Sequence, residues 1–249
     1  MLVHKKLNEK KIIIAGSEGL LGNEISQYFE SIGSEVVRLD LKLGHDLTDE
    51  KTVIDIMMKH KLADVLITPF AINPQPNEDS FDLFNLPLSS LEQYLKVNLL
   101  SLFCVCREFA KICENNASII NFSSTYGIRS PKHFIYSEDF TKHIGYSITK
   151  SGVIGLTKYL GAYLAPKIRV NAIVPGGVEN GQDEKFIKNY SRNTPLNRMM
   201  QKEEIIGICK YLASDDSSYS TGSLFNVDGG WSSWSVSYTH LTLPTIYSV

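Results

Sequence analysis

The sequence predicts an α/β domain in which a parallel β-sheet is covered by helices on both faces. Short apolar runs that suit buried strands alternate along the chain with segments of helical character. Successive strands joined by helices run parallel, because a parallel connection needs a long crossover. Two further observations indicate which kind of α/β domain this is: a glycine turn follows the first strand, and a carboxylate stands at the end of the second strand.

The strand pattern recurs in residues 11–15, 35–39, 64–68, 119–122, 168–174 and 224–227, with no linker or internal repeat between them. Helices are expected over 23–31, from Thr48 or Asp49 as N-cap to 59, and over 91–115, 146–164 and 202–213. The proline-rich loop that runs from 69 to about 90 is too long for a simple connector, so we expect it to form a pocket rim. The polar segment 179–195 is expected to be a mobile lid.

The glycine turn lies between the first strand and the first helix and reads Gly16-Ser-Glu-Gly19-Leu-Leu-Gly22. This is the context that a dinucleotide-binding fingerprint requires. Glycines permit the tight turn and the close approach of a pyrophosphate, and the helix N-terminus offers N–H donors to the phosphates. Glycine turns between strand and helix are common, so the glycine pattern alone is weak evidence. It indicates a dinucleotide site only together with the strand before it and the helix after it.

Asp40 follows the second strand, 18 residues after Gly22. A carboxylate at this point accepts hydrogen bonds from the adenosine ribose in dinucleotide-binding sheets. It would repel a 2′-phosphate, so NAD is favoured over NADP, although Lys42 nearby is a cation that could accept a phosphate. These features together predict a three-layer Rossmann fold, a doubly wound parallel sheet of about seven strands with helices on both faces.

Composition limits the partners of the protein. The chain has 249 residues, 43% of them hydrophobic and 21% charged, and a net charge of −2, which gives no electrostatic case for nucleic acid. No run approaches the ~20 apolar residues of a membrane span, and no signal peptide is evident. The four cysteines match neither a zinc site nor a disulfide framework. We expect a cytoplasmic protein that binds a small molecule and no metal.

Tyr146 and Lys150 are four residues apart, which places them on one face if the segment is helical. A neighbouring ammonium lowers the pKa of a phenol, and such a tyrosine can pass a proton to or from a substrate oxygen. The chain repeats this spacing at Tyr163 and Lys167, but Pro166 between them should end the helix. The first pair is therefore the candidate proton-transfer site.

Several motifs agree in order and spacing with one family. From about Lys11 to Trp234 the chain resembles the short-chain dehydrogenase/reductase family, in these segments: Gly16–Gly22, Asp46-Leu47, Val97-Asn98, Ile120–Ser124, Tyr146-x-x-x-Lys150, Arg169–Gly176 and Tyr219–Gly230. The resemblance implies that Tyr146 is the general acid/base and that Lys150 lowers its pKa and holds the nicotinamide ribose. It also implies that Ser124 bonds to the substrate carbonyl or hydroxyl, and that Asn98 holds a water in a proton relay.

The same resemblance implies the cofactor contacts. Asp46 and Leu47 would contact the adenine, and the Pro175–Val178 segment would lie against the nicotinamide. The full set of implied cofactor-binding residues is Gly16, Gly19, Leu20, Leu21, Gly22, Asp40, Asp46, Leu47, Tyr146, Lys150, Pro175, Gly176 and Val178. A homo-oligomer, dimer or tetramer, is also implied, with the 91–115 and 146–164 helices as its candidate interface.

Four departures from the family pattern matter. The glycine turn has the spacing Gly-x-x-Gly-x-x-Gly, and Thr68-Pro-Phe-Ala71 replaces the frequent Asn-Asn-Ala-Gly, whose amides brace the sheet. Asn180 stands where a threonine is often found near the nicotinamide carboxamide. Ser124 and Tyr146 are 22 residues apart, wider than usual, so the extra residues in 128–145 should reshape the substrate mouth.

The wide spacing, with Ser-Ser-Thr-Tyr-Gly and Asp-Gly-Gly-Trp, is similar to a bacterial subgroup of surface-sugar and flagellin-modification oxidoreductases. Our leading hypothesis is an NAD(P)-dependent oxidoreductase that interconverts a secondary alcohol and a ketone on a sugar or sugar-derived substrate. The alternatives are a 3-oxoacyl-thioester (acyl-carrier-protein) reductase and a catalytically silent cofactor-binding partner or sensor.

The last residues carry a separate signal. Residues 236–249 contain Val-Ser-Tyr-Thr-His-Leu-Thr-Leu-Pro-Thr, which resembles the translation of a sequencing-library adapter. We therefore predict a single domain over 1–235 and a non-native tail after it.

Overall fold

The structure is a computed structural model that describes residues 5–73, 83–137 and 140–233. The adapter-like tail at 236–249 lies outside these residues. So do residues 74–82 of the long proline-rich loop and residues 138–139 of the segment before Tyr146.

A single parallel sheet of six strands forms the centre of the described chain. In chain order the strands are β1 (Lys11–Ala15), β2 (Glu35–Leu39), β3 (Val65–Thr68), β4 (Ala117–Phe122), β5 (Ile168–Pro175) and β6 (Leu224–Val227). Their spatial order is β2-β1-β3-β4-β5-β6, and every neighbouring pair is parallel. The doubly wound sheet is as predicted, with six strands in the described residues against the expected seven or so.

The strand order reverses between β1 and β3, because β2 lies on one side of β1 and all later strands lie on the other. Ligands of doubly wound sheets bind outside the carboxyl ends of the strands at such a switch point. The glycine turn that follows β1 and the loop that follows β3 meet there.

Helices cover both faces of the sheet: α1 (Leu20–Ser31), α2 (Glu50–Lys59), α3 (Leu88–Leu95), α4 (Ser101–Ile112), α5 (Thr125–Ile128), α6 (Ile144–Tyr163), α7 (Glu184–Arg192) and α8 (Ile206–Ala213). A π-helical segment, Lys96–Leu100, joins α3 to α4. The helix expected over 91–115 is thus one continuous helical stretch, 88–112, with a π turn inside it. The residues expected to begin the last helix, Lys202–Ile205, form a 3₁₀ turn before α8.

Two apolar clusters fill the space between the sheet and the helices. Alternate residues of each strand point to opposite faces, so Ile13, Leu66 and Ile119 pack in one cluster with α2, α4 and α6. Their neighbours Ile12 and Ile67 pack in the other, with α1 and α8. This explains why the central strands β1 and β3 are apolar along most of their length, since a parallel sheet covered on both faces has no solvent side.

The helix boundaries follow from local signals. Asp49, rather than Thr48, caps α2: its carboxylate accepts a hydrogen bond from the Thr52 N–H at 2.9 Å. Helix α6 ends at Tyr163, before Pro166, so the second tyrosine–lysine pair does not share a helix. None of the helices in the described ranges has the length and apolarity to cross a membrane.

Candidate active site

The glycine turn is built so that two of its three glycines admit no side chain. Gly16 has φ +90°, and a Cβ there would lie 2.6 Å from Cβ of Phe70. A Cβ on Gly22 would lie 1.9 Å from the carbonyl oxygen of Gly16. Gly19 is the N-cap of α1 and gives it no side-chain cap, so the first N–H groups of α1, from Leu20 onward, point out of the helix end. Donors in this arrangement suit an anion such as a pyrophosphate.

Asp40 ties the end of β2 to the glycine turn. Its Oδ2 accepts a hydrogen bond from the Glu18 N–H at 3.1 Å, and its Oδ1 accepts one from the Lys42 N–H at 2.9 Å. Each carboxylate oxygen has a second lone pair, so the group can still accept from ribose hydroxyls. The nearby Arg38 is paired with Glu30 at 2.7 Å and with Glu18 at 3.2 Å. Carboxylates therefore neutralise the guanidinium that would attract a 2′-phosphate.

The residues expected at the adenine differ in exposure. Asp46 is exposed, and its Oδ1 accepts hydrogen bonds from the N–H and the hydroxyl of Thr48 at 2.9 and 2.8 Å. These bonds hold the pKa of Asp46 below its usual range. Leu47 is buried in the same apolar cluster that Phe70 packs against, so it forms part of the wall of the switch point.

The sheet has a polar brace in spite of Thr68-Pro-Phe-Ala71. The Thr68 hydroxyl lies 3.1 Å from Oδ1 of Asn121 on β4, and Nδ2 of Asn121 donates to the Thr157 hydroxyl on α6 at 3.0 Å. All three residues are buried. Sequence reasoning did not single out Asn121, although an amide inside an otherwise apolar strand is a signal for such a brace.

Asn98 lies in the π turn between α3 and α4 and is 2% exposed. Its Oδ1 accepts from the Ile72 N–H at 2.8 Å, and its Nδ2 lies 3.1 Å from the Ile72 carbonyl and 3.3 Å from the Thr149 hydroxyl. The side chain therefore joins the loop after β3 to α6. Turns of π helix often occur at functional sites, because the extra residue alters the direction of a side chain.

Ser124, Tyr146 and Lys150 come together where β4 ends. Ser124 caps α5 by accepting from the Tyr126 N–H at 3.1 Å, and its hydroxyl lies near enough to the Tyr146 side chain to act on the pKa of that phenol. Lys150 is 3% exposed; its Nζ donates to the carbonyl of Phe122 at 2.7 Å and lies 5.8 Å from the centroid of the Tyr146 ring. The fold thus assembles all three side chains that the sequence singled out.

The pKa of Tyr146 moves in the opposite direction to the one expected from the sequence. Burial raises it, and the neighbouring Ser124 hydroxyl lowers it by less. Lys150 does not reverse this, because its ammonium bonds to a backbone carbonyl and lies over the ring; burial also lowers the pKa of Lys150 to about 8. At neutral pH Tyr146 is therefore a neutral phenol, which is the form that donates a proton.

The Pro175–Val178 segment leaves the sheet at the carboxyl end of β5. The Gly176 N–H donates to the Val227 carbonyl of β6 at 2.9 Å, and Val178 pairs with Met200 in an isolated parallel bridge. A Cβ on Gly177 would lie 2.7 Å from the Tyr190 ring, so glycine permits that ring to pack here. Asn180 follows and is exposed.

The segment expected to be a lid contains α7, and its Tyr190 is buried. The ring of Tyr190 stacks on that of Trp231 with 4.2 Å between centroids. Tyr190, Trp231, Ile135 and Met199 form a third apolar cluster. This cluster fastens the segment to the 128–145 stretch.

A cleft of about 1050 Å³ opens beside the N-terminus of α6. Most of its described walls belong to the long 128–145 stretch, which agrees with the expectation that these residues shape the mouth of the site. Leu83 and Leu86 from the long loop also line it, as expected for a rim. Tyr126 and Tyr136 meet inside it with 2.7 Å between their hydroxyl oxygens. Burial raises the pKa of both phenols, so both stay neutral.

His143 has a structural role rather than a catalytic one. Its Nδ1 accepts a hydrogen bond from the Gly145 N–H at 2.9 Å, which caps α6. Its ring stacks on Tyr94 with 4.2 Å between centroids, and its Nε2 lies 2.9 Å from the Ser90 hydroxyl. Sequence reasoning did not assign this role to His143, because a capping histidine resembles any other loop histidine.

Comparison with known proteins decides the family. A family model described as enoyl-(acyl carrier protein) reductase matches residues 8–232. A short-chain type dehydrogenase/reductase of Sinorhizobium fredii is 27% identical over 251 residues, covering 89% of this chain. The chain belongs to the short-chain dehydrogenase/reductase family.

Other relatives in this family match over similar lengths. The 3-oxoacyl-[acyl-carrier-protein] reductase FabG of Aquifex aeolicus is 28% identical, over 90% of this chain and 98% of the relative. The 2-keto-3-deoxy-L-fuconate dehydrogenase of Xanthomonas campestris is 26% identical, over 91% of this chain and 81% of the relative. The chain spans only 43% of the length of the Sinorhizobium protein and 58% of that of an oxidoreductase of Mycobacterium tuberculosis.

A solved family member has the same fold. The short-chain dehydrogenase of Leptospira borgpetersenii, solved with bound NAD⁺, is 29% identical with a TM-score of 0.78, covering 93% of this chain and 97% of that one. The predicted Rossmann fold and the predicted family are confirmed. The relatives named here are dehydrogenases and reductases.

Proposed function

We propose that this protein is an NAD(H)-dependent oxidoreductase that interconverts a secondary alcohol and a ketone on a sugar or sugar-derived substrate. The observation that carries the proposal is that Ser124, Tyr146 and Lys150 lie together at the end of β4, with the Lys150 ammonium over the tyrosine ring and a large cleft alongside. Two hydroxyl donors that converge beside a cleft can both bond to one carbonyl oxygen.

A nicotinamide dinucleotide fits the residues of the switch point. Gly16 and Gly22 permit a turn too tight for any side chain, α1 presents its N-terminal N–H groups beyond that turn, and Asp40 has lone pairs to spare for a ribose. When bound, the cofactor supplies or accepts the hydride. The protein then has to orient the substrate and move one proton.

We assign the proton transfer to Tyr146. In ketone reduction the carbonyl oxygen gains negative charge, which the Ser124 and Tyr146 hydroxyls stabilise before Tyr146 transfers its proton to that oxygen. In alcohol oxidation Tyr146 has to begin deprotonated, and its raised pKa makes this direction depend on high pH.

Lys150 and Asn98 support that step. We assign Lys150 to the nicotinamide ribose and to the charge balance of the Tyr146 phenolate. The side-chain amide of Asn98 is used by Ile72 and Thr149, so a relay water would have to bind its main-chain carbonyl instead. In this arrangement the Asn98 side chain supports the step indirectly, by holding Ile72 of the loop after β3 against Thr149 of α6.

Preference for NAD over NADP rests on charge. The Asp40 carboxylate would repel a 2′-phosphate, and Arg38 is already paired with Glu30 and Glu18. The name of the Leptospira relative, which records bound NAD⁺, is consistent with this preference.

A sugar-derived substrate suits the lining of the cleft. The Tyr126 and Tyr136 hydroxyls, together with Ser137 and Ser147, offer hydrogen bonds to several substrate hydroxyls. The Xanthomonas relative is named for a sugar-derived substrate.

We further propose a cytoplasmic homo-oligomer, dimer or tetramer. The four cysteines are free, as expected in a reducing compartment. Large apolar side chains are exposed on α4 and α6, including Phe103, Ile148 and Tyr159, so these helices are the candidate interface.

The second candidate is a 3-oxoacyl-thioester reductase. The match to FabG over 98% of that relative's length favours it. Such an enzyme usually uses NADPH, which Asp40 disfavours. A silent cofactor-binding partner is the remaining alternative, and the assembled Ser124–Tyr146–Lys150 group gives it no support.

The experiment follows NADH and NADPH absorbance with the full chain and a panel of keto-sugars, keto-sugar acids, sugar phosphates and 3-oxoacyl thioesters. Turnover of a sugar-derived ketone with NADH supports the proposal. Turnover of thioesters alone with NADPH selects the second candidate. Cofactor binding without turnover of any substrate selects the silent partner.

A further inference from the structure

Lys142 lies in the cleft and has no role in the reaction proposed above. It precedes α6 by two residues and is half-buried, and its Nζ lies 4.6 Å from the centroid of the Tyr146 ring. We propose that Lys142 binds an oxyanion of the substrate, a carboxylate or phosphate near the reacting carbon, so that the substrate is an acidic sugar derivative. This inference rests on the proposed function, because it names the substrate class of the same site.

The position of Lys142 is fixed by the loop that follows β3. Its ammonium donates a hydrogen bond to Oδ1 of Asn73. The preceding residue, Ile72, is held through both its N–H and its carbonyl by the side chain of Asn98, which also bonds to α6. Lys142 is therefore preorganised relative to Tyr146, and a preorganised donor loses less conformational freedom when it binds a ligand.

Lys142 lacks a carboxylate partner within the described residues. Its neighbours there are an amide oxygen and an aromatic ring, and burial lowers its pKa to about 8. A partly desolvated ammonium is unfavourable unless it is paired. An oxyanion that enters the cleft supplies the pair through a charge-assisted hydrogen bond.

The charged side chains that line the described part of the cleft are all basic. Arg129, Lys142 and Lys185 line it with His133 and His143, and its described lining contains no aspartate or glutamate. This contrasts with the net charge of −2 for the whole chain. Walls of one sign raise the local concentration of oppositely charged ligands. Of these three cations, Lys142 is the one in contact with the Tyr146 ring.

If Lys142 acted on Tyr146 instead of on the substrate, its replacement would change different kinetic parameters. A cation over the ring could act on Tyr146 by stabilising its phenolate. That role would alter the pH profile of turnover for every substrate. Binding of an oxyanion instead changes KM, and does so only for substrates that carry the anion.

The test compares the wild type with Lys142→Met, Lys142→Arg and the control Lys61→Met, an exposed lysine just beyond α2. Each is assayed with NADH on neutral keto-sugars, keto-aldonic acids and keto-sugar phosphates. We expect the wild type to prefer one anionic class, and Lys142→Met to raise KM for that class by about 10- to 100-fold. Lys142→Arg should retain most of the affinity, and Lys61→Met should match the wild type. The anionic class that responds distinguishes a carboxylate from a phosphate.

Equal losses on neutral and anionic substrates would overturn the inference, and so would a wild type that prefers neutral ketones or thioesters. These outcomes leave the hydride-transfer proposal standing. If no ketone turns over, the proposed function fails, and calorimetric titration with aldonic acids and sugar phosphates still decides the inference. Binding by the wild type that Lys142→Met abolishes supports it, and no binding by the wild type overturns it.

Discussion

Replacing Asp40 with asparagine removes the charge on which the predicted NAD preference depends and keeps the shape of the side chain. The carboxylate accepts backbone hydrogen bonds from Glu18 and Lys42, and asparagine can keep one of them through its carbonyl oxygen. The variant is therefore expected to fold, with a modest loss of stability that thermal denaturation measures.

The size of the effect follows from two contributions. Hydrogen bonds to a charged group contribute about 1.5–3 kcal/mol, so the KM for NADH should rise roughly 10- to 100-fold. Two unit charges about 4 Å apart repel by about 1 kcal/mol in water and about 4 kcal/mol at an effective dielectric constant near 20. Removing that repulsion should improve NADPH by about 5-fold or more.

The assay measures kcat/KM for NADH and for NADPH with one ketone, and the ratio of the two is the readout. We expect Asp40→Asn to lower the NADH/NADPH ratio by at least about 50-fold. Asp55→Asn, on the exposed face of α2, serves as the matched control and should leave the ratio unchanged. A ratio that stays within about twofold of the wild type in folded Asp40→Asn would refute the assignment of Asp40 to the ribose.

Three further predictions follow from distances and pKa values. Gly22→Ala should lower the free energy of unfolding by about 3 kcal/mol or more and weaken NADH binding, because its Cβ would lie 1.9 Å from the Gly16 carbonyl oxygen. Its matched control, Gly207→Ala in α8, meets open space and should instead raise that free energy by about 0.5–1 kcal/mol; chemical denaturation measures both variants. For a neutral ketone, kcat/KM of reduction should fall above about pH 8, where Lys150 loses its proton, and Lys150→Arg should remove that fall. Asn121→Leu should lose about 1–3 kcal/mol of unfolding free energy for each buried partner left unpaired; equal stability would contradict the polar brace.

The sheet and its helices were predictable because their signals are local. Short runs rich in apolar residues indicate buried strands, and Asp49 and Pro166 mark helix boundaries through a cap and a missing N–H. The π turn at Asn98 was not predictable. It depends on a shift of the hydrogen-bond register, such as the Ser101 N–H to the Lys96 carbonyl, which no residue type specifies.

That Ser124, Tyr146 and Lys150 would lie together could be predicted from the sequence, but their electrostatics could not. Spacing on α6 relates Tyr146 to Lys150, and the end of a strand provides Ser124. The pKa of Tyr146 depends instead on its burial and on where the Lys150 ammonium binds. That partner is the Phe122 carbonyl, 28 residues away, which only the tertiary fold brings near.

The contacts that build the walls of the site could not be predicted from the sequence either. The sequence indicated that residues 128–145 surround the mouth, but not that Lys142 would lie over the Tyr146 ring. Nor did it indicate that α7 would be fastened by Tyr190 against Trp231, 41 residues later. These contacts join segments whose separation along the chain carries no local pattern.

The most direct test of the proposed function is single-turnover hydride transfer from NADH to a substrate ketone. The wild type is compared with Tyr146→Phe and with the control Tyr163→Phe, whose ring is 72% exposed at the end of the same helix. Loss of a general acid should slow Tyr146→Phe by about 10²- to 10⁴-fold, while Tyr163→Phe keeps the wild-type rate. A rate for Tyr146→Phe within about threefold of the wild type would contradict the assignment of proton transfer to Tyr146 and the proposed mechanism with it.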